Sequence, residues 1–150
     1  MTAVPVPHLN LRGHAREALE AYAVAFGGRA EIRTYGDLGM PPELPDASKV
    51  VFGEVVADGG FHVMAYDIPS QAGADLPPAP ATRREHGVTL TNQSAFLSLR
   101  SGSVEEATGW WDALSEGAVV VEPFAASAWS AGFGMLTDRF GVTWVIDVAG

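Results

Sequence analysis

The sequence contains no cysteine. That absence removes disulfides, thiolate nucleophiles and cysteine-ligated zinc together, and it leaves redox logic silent about compartment. Positive charge is scarce as well, with 9 Lys and Arg against 18 Asp and Glu, a net charge of −9. No basic run interrupts that field. Phosphate backbones and anionic headgroups are therefore repelled, and neither nucleic acid nor a membrane surface is expected as a partner. Long apolar stretches are missing too: nowhere do the roughly 18 consecutive apolar residues of a spanning helix occur. The opening MTAVPVPHLNLRG lacks a basic stretch followed by an apolar one, so no secretory leader is read there and the cytoplasm is the expected location.

What remains is the composition of an ordinary folded protein, 47% hydrophobic and 18% charged over 150 residues. That length suits one domain. Internal similarity organises it: LNLRGHAREALEAYAVAFGG (9–28) lies over LSLRSGSVEEATGWWDALSEG (97–117) with one inserted residue. Leu9/Leu97, Leu11/Leu99, Arg12/Arg100, Glu17/Glu106, Ala18/Ala107, Tyr22/Trp111 and Gly28/Gly117 correspond. Each copy predicts a short strand, a tight turn and a helix of about three turns. Ala18, Leu19, Tyr22 and Phe26 form an apolar stripe stopped by Gly27-Gly28, while Ser103 and Glu106 read as a capping box and Gly117 as the second stop.

Extended segments follow each helix: AEIRTYG and KVVFGEVVADGGFHVMAYDI in the first half, AVVVEP and GFGMLTDRFGVTWVIDV in the second. Asp58-Gly59-Gly60 and Asp138 to Gly141 are hairpin turn signals, so each half reads β-α-β-β-β. The expected boundaries are a first module of about 1–69, a connection of about 70–93 rich in Pro, Ala and polar residues, and a second module of about 94–150. Residues 37–48 form another loop. Gly132-Phe133-Gly134 is read as a bend between strands.

A tandem of such modules resembles the vicinal-oxygen-chelate superfamily, which includes glyoxalase I, bleomycin-resistance proteins and extradiol dioxygenases. PHLNLRGHAREALEAYAVAFGG, VMAYDIP and above all WSAGFGMLTDRFGVTWVID are similar to its PhnB-like branch, often labelled as demethylubiquinone methyltransferase-like. The resemblance covers nearly the whole chain. It implies an α+β glyoxalase/bleomycin-resistance-like fold whose tandem modules form a cup-shaped mixed sheet, a homodimer, and a small organic ligand in the cup. It also implies that Trp144 in the final strand turns toward the helix-covered side.

Period-two alternation then proposes a cup lining. Val142, Trp144 and Ile146 share one face, leaving Thr143, Val145 and Asp147 for the cavity. If Leu9 and Leu11 pack on the helix, His8, Asn10 and Arg12 face inward, as do Phe96, Ser98 and Arg100 in the second copy. Across the first hairpin, Phe61, Val63 and Ala65 go to the core and His62, Met64 and Tyr66 to the cavity. Trp129 and Phe133, in a stretch leading into the cup strands, are candidates to cap a ligand. Trp110 and Trp111 are adjacent on a helix, so one of them is expected to meet a loop or a partner chain.

Metal-dependent relatives place a His or Glu at the start of the first strand of each module and a carboxylate within the last. On this chain the carboxylate positions fall on Met64 and Val145, and the first-strand positions near Pro7 or His8 and near Ser94. Neither Met64 nor Val145 ligates a hard divalent cation, so no metal and no other cofactor is expected. His8 and His62 are read as polar pocket-wall residues, or alternatively as half of an unconventional metal site with Asp147 or Tyr66. Arg12 and Arg100 suit an anionic ligand, or alternatively pair with Glu17 and Glu106. The methyltransferase label finds no glycine-rich strand-to-helix loop to support it, because RGHARE holds one glycine. No G-x-S-x-G elbow occurs. The expectation is thus a small-molecule-binding protein without the usual metal site, the alternative being a metal-independent or unconventionally metallated lyase or isomerase with His8, His62 or Tyr66 as acid or base. A dimeric module that serves only as an interaction partner is a third option.

Overall fold

Alternating burial builds most strands of the computed structural model, which describes residues 2–70, 76 and 78–149. The chain divides into two compact units, Met1–Pro77 and Pro78–Gly150. The first contains β1 (His8–Leu11), α1 (Ala15–Phe26), β2 (Gly28–Thr34), a 3-10 turn at Gly36–Leu38, β3 (Val50–Ala57) and β4 (His62–Asp67). Its sheet runs β1-β4-β3-β2, with β1 parallel to β4 and the other pairs antiparallel. The helix covers one face, where Ala15, Ala18, Leu19 and Tyr22 bury against a layer that includes Val55, Val63 and Ala65. Phe26, the last residue of the stripe, stacks on Phe61 at 3.9 Å. Gly27 ends α1 in the left-handed region at φ 69°, which glycine adopts without steric cost.

The second unit opens with a hairpin, β5 (Thr82–Glu85) and β6 (Val88–Thr91). It continues through β7 (Leu97–Ser101), α2 (Val104–Ser115), β8 (Val119–Ala125), β9 (Gly132–Thr137) and β10 (Thr143–Val148). Its main sheet runs β7-β10-β9-β8 and repeats the first unit's mixture of one parallel and two antiparallel pairings. Trp144, Leu136, Ile146 and Val148 form the buried layer with Ala107 and Leu114 of α2, so Trp144 lies on the core side as its strand's alternation predicts. The Ser103 hydroxyl accepts from the Glu106 amide at 3.0 Å. The return arm of the capping box runs through Ser101, whose hydroxyl donates to Glu106 Oε1 at 2.6 Å and accepts from the Ser103 amide at 3.0 Å.

Two features depart from the sequence reading. The stretch 82–91, inside the segment read as a connection, is an antiparallel hairpin turned by His86 and Gly87 at φ 52° and 77°. Positive φ at both central residues is what a type I′ two-residue hairpin requires, but His-Gly between the four-residue strands TRRE and VTLT gives a weak signal. Residues 71–75 and 77 of the same segment lie outside the described residues. Gly132-Phe133-Gly134 is not a bend; it begins β9. A Cβ on Gly132 would meet the Phe124 ring at 2.6 Å, and one on Gly134 would meet the Phe124 backbone and the Trp111 ring at 2.8 Å. The glycines make room for Trp111 to stack on Phe124, with ring centroids 5.8 Å apart.

Candidate functional site

The face of the first sheet opposite α1 carries polar groups in an apolar frame. Met64 lies at its middle, paired with His8 on β1 and Glu54 on β3. Asn10 is opposite Tyr66. The His8 Nδ1 donates to Asn10 Oδ1 at 3.1 Å, and the imidazole meets the Tyr66 ring edge-on at 5.5 Å. His62, two residues before Met64, donates from Nε2 to Glu54 Oε2 at 2.8 Å across the strand pair. The two side chains are 35% and 25% exposed, so the ion-pair geometry is half withdrawn from water. Phe52 and Val56 flank Glu54 along β3 on the same face and remain exposed. Glu31 on β2 stands directly opposite Glu54. A shallow depression at the β2 side is lined by Glu31, Ile32, Arg33 and Phe52.

β4, which presents His62, Met64 and Tyr66, is held at its end by Asp67. The buried Asp67 carboxylate accepts from the amides of Gly13 at 2.8 Å, Ala15 at 3.0 Å and Val50 at 2.9 Å. It thereby fixes the start of α1 and the start of β3 to the end of β4. One first-turn amide of α1, that of Ala15, is thus taken by the protein's own carboxylate. Tyr35 donates to the Asp67 carbonyl at 2.7 Å. Burial pushes the Tyr35 phenol above its ordinary range, and Tyr66, Asp46 and Asp67 add to the shift.

In the second unit the corresponding face is largely covered by the β5–β6 hairpin. Arg84 reaches over the Phe133 ring at 5.6 Å, approaches Glu122 at 3.5 Å and donates to Thr89 Oγ1 at 2.8 Å. The Gln93 amide donates to Thr143 Oγ1 at 2.6 Å and to Thr82 Oγ1 at 2.7 Å, and Thr143 also bonds Thr137 at 2.7 Å. Under this cover Thr143 is 1% exposed and Met135 3%. Val145 and Asp147 lie half-buried further along β10. Asp147 joins two neighbours, with Arg100 Nε at 3.7 Å and the Ser130 hydroxyl at 2.9 Å. Arg100 therefore pairs with Asp147; Glu106, its alternative partner in the sequence reading, is engaged by Ser101. Ser98, opposite Val145, is exposed, and Trp129 projects from the loop beside Ser130 at 73% exposure.

Strand register changes the repeat relation between the two copies. Val56 pairs with His62 and Thr137 with Thr143, each pair spanning five residues, so Met64 corresponds to Val145 and Glu54 to Met135. The first-strand neighbours of Met64 and Val145 are His8 and Ser98. By the sheet, His8 thus matches Ser98 and Asn10 matches Arg100, two residues away from the Leu-x-Leu-Arg alignment. Arg12 follows β1, whereas Arg100 belongs to β7. The positions that would hold a superfamily metal are therefore His8, Met64, Ser98 and Val145, and one imidazole with a thioether, a hydroxyl and an alkyl group does not fit a hard divalent cation. Among the described residues no three His, Cys, Asp or Glu side chains gather into a metal-ligating group.

Glu54 is the residue that motif reasoning missed in the first unit, and Arg84 and Gln93 are those missed in the second. Alternation signals Glu54, since it shares a face with the exposed Phe52 and Val56. The hairpin residues had no such signal.

No protein-family model matches the chain. Protein YjdN of Escherichia coli (strain K12) is 40% identical over 149 residues, spanning 95% of this chain and 92% of that protein. Among solved structures, protein PA1353 from Pseudomonas aeruginosa is 30% identical with a TM-score of 0.77, covering 99% of this chain and 98% of its own. The PhnB protein of Bacillus cereus shares the fold at 20% identity, a TM-score of 0.71 and 98% and 100% coverage. So does the glyoxylase/bleomycin resistance protein/dioxygenase domain from Frankia sp. EAN1pec, at 14% identity, a TM-score of 0.63 and 100% and 99% coverage. With two β-α-β-β-β units in the order its motifs indicate, the chain has the fold of the PhnB and glyoxylase/bleomycin-resistance structures, and it belongs to the same family as protein YjdN and protein PA1353.

Proposed function

We propose that the protein binds a small organic molecule on the open face of the first unit's sheet, without a metal at the superfamily positions. The observation that carries this reading is the grouping of His8, Asn10, His62, Glu54 and Tyr66 around Met64 within an apolar frame of Phe52 and Val56. Fixed polar groups orient a ligand while the apolar side chains among them add affinity. The donor set supports the metal-free part, because Met64 and Val145 replace the carboxylates a hard cation needs. In the second unit, Ser98, Arg100, Asp147, Phe133 and Trp129 are the groups left nearest the uncovered end of the equivalent face, and the proposal assigns them an accessory role in holding the same class of ligand. Thr143 and Val145 lie beside the hairpin and shape that end. Arg12, just past β1, is assigned to the rim of the first face. The reading includes a homodimer in the cytoplasm, as the family resemblance implies.

Native mass spectrometry with elemental analysis of untagged protein, purified without chelators, tests this reading. A metal-free dimer carrying extra organic mass, lost in Met64→Lys, is the expected result. Stoichiometric divalent metal that disappears in His62→Ala would overturn it and favour the metallated lyase or isomerase.

A further inference from the structure

β2 and β8 are the strands at corresponding ends of the two sheets. A sheet end presents unpaired N–H and C=O groups that invite another strand, and proteins blunt it with proline or with breaks in register. β8 is blunted in both ways, by Pro123 and by shifts of register against β9 between Val120 and Glu122 and between Glu122 and Ala125. β2 is not: it holds no proline, and its register against β3 runs unbroken from Gly28 to Arg33. Arg29, Glu31 and Arg33 alternate along it, exposed on the open face beside Val56, Glu54 and Phe52 of β3. Glu31 thus meets a like charge directly across the strand pair, an unfavourable arrangement, while the Glu54 carboxylate is engaged by His62. Among the described residues neither Glu31 nor Arg33 joins an ion pair or a side-chain hydrogen bond. The depression at this end is lined by Glu31 and Arg33 from one face of β2, by Ile32 from the other and by Phe52, so it wraps around the strand's outer edge at Ile32.

We propose that β2 is the pairing edge for a second copy of this chain, joined antiparallel about a two-fold axis through Ile32. In that register Ile32 faces itself, Ala30 faces Thr34, and each Glu31 faces the second copy's Arg33, so every exposed charge in the paired stretch meets its opposite. An axis through Glu31 instead sets Glu31 against itself and Arg29 against Arg33. One through Ala30 matches Arg29 with Glu31 but runs Thr34 into Phe26, which is helical. With the axis perpendicular to the sheet both open faces stay on one side, and the two four-stranded sheets continue into one another. Main-chain hydrogen bonds supply the attachment, and the charges supply the register. The second copy's Arg33 then stands against Glu31, one strand from Glu54 and Phe52, and adds a cation to the candidate binding face. The inference rests on the homodimer in the reading above and assigns its surface. A strand edge buries little area, which places this association among the weak, reversible ones.

Sedimentation velocity on the full-length protein, over a concentration series reaching about 1 mM, reads the association. Wild type is expected to dimerise reversibly. Glu31→Arg and Arg33→Glu each set like charges against each other at both pairs, and each raises the dimer Kd by at least about tenfold. All the substituted side chains are exposed, so the fold survives the changes. An equimolar mixture of the two variants regains the wild-type Kd as a heterodimer, because each copy then offers the charge that the other lacks. Arg29→Glu, which alters net charge as Arg33→Glu does but lies outside the charge pairs, leaves Kd within about twofold. Unchanged association in both single reversals, an equal loss in Arg29→Glu and Arg33→Glu, or no recovery in the mixture overturns the inference while leaving the homodimer to another surface. Wild type that stays monomeric throughout overturns it and also removes the homodimer from the reading above.

Discussion

Substitution of Asp67 separates a carboxylate that positions the candidate site from one that merely occupies a strand end. Its two oxygens accept three backbone amides at 2.8, 3.0 and 2.9 Å, two on Oδ1 and one on Oδ2. Asparagine retains one accepting oxygen. Keeping the Gly13 and Ala15 bonds on that oxygen turns the amide NH2 toward the Val50 N–H, donor against donor, in a buried setting. A hydrogen bond to a charged group contributes about 1.5–3 kcal/mol, and an orphaned buried donor costs about 1–3 kcal/mol. Asp67→Asn is therefore expected to lose about 2–3 kcal/mol, and Asp67→Ala, which orphans three donors, about 4 kcal/mol or more. Urea unfolding followed by far-ultraviolet circular dichroism measures this. With slopes of about 1–3 kcal/mol per molar, the asparagine midpoint should fall by roughly 1 M. If its stability stays within about 0.5 kcal/mol of wild type, Asp67 does not fasten α1 and β3 to β4 as described.

Other consequences are open to simpler measurement. Gly134→Ala pushes a methyl into Phe124 and Trp111, and a loss of about 1–3 kcal/mol is expected in thermal melts, where an unchanged melting temperature would contradict the close approach. Gln93→Ala removes the bonds to Thr82 and Thr143, and trypsin should then cut after Arg83 or Arg84 several-fold faster, with an unchanged rate showing that the hairpin is held by other contacts. Tyr35 is expected to ionise above the ordinary tyrosine range. Between the unfolded and folded pKa values the native state binds more protons, so stability is full below about pH 10 and falls as pH rises through the folded value. A late component in absorbance at 295 nm, missing in Tyr35→Phe, checks this. Arg100→Ala should leave stability nearly unchanged, within about 0.5 kcal/mol, because its side chain is 82% exposed and its pair with Asp147 is solvated.

The sequence by itself determined the β-α-β-β-β order that each unit contains, the core side of β10 and the frame of the first unit's open face. The reason is that period-two and helical apolar patterns are local, and Leu19, Tyr22, Val63 and Trp144 each sit where their own segment's period puts them. It also supplied the resemblance that pointed to this fold, through motifs spread along nearly the whole chain. Tertiary structure decided the rest. Glu54 and His62 meet only when β3 and β4 pair in one register, and a shift of a single residue would turn one of them away. The repeat alignment placed Arg12 with Arg100, but parallel pairing against β4 and β10 sets Asn10 opposite Tyr66 and Arg100 opposite Asp147. The hairpin at 82–91 was invisible because its strands are only four residues long and their stability comes from Arg84, Thr89 and Gln93 docking on a sheet formed by residues 97–148. Contacts between residues distant in the chain leave no periodic trace in either partner, so only the folded chain states them.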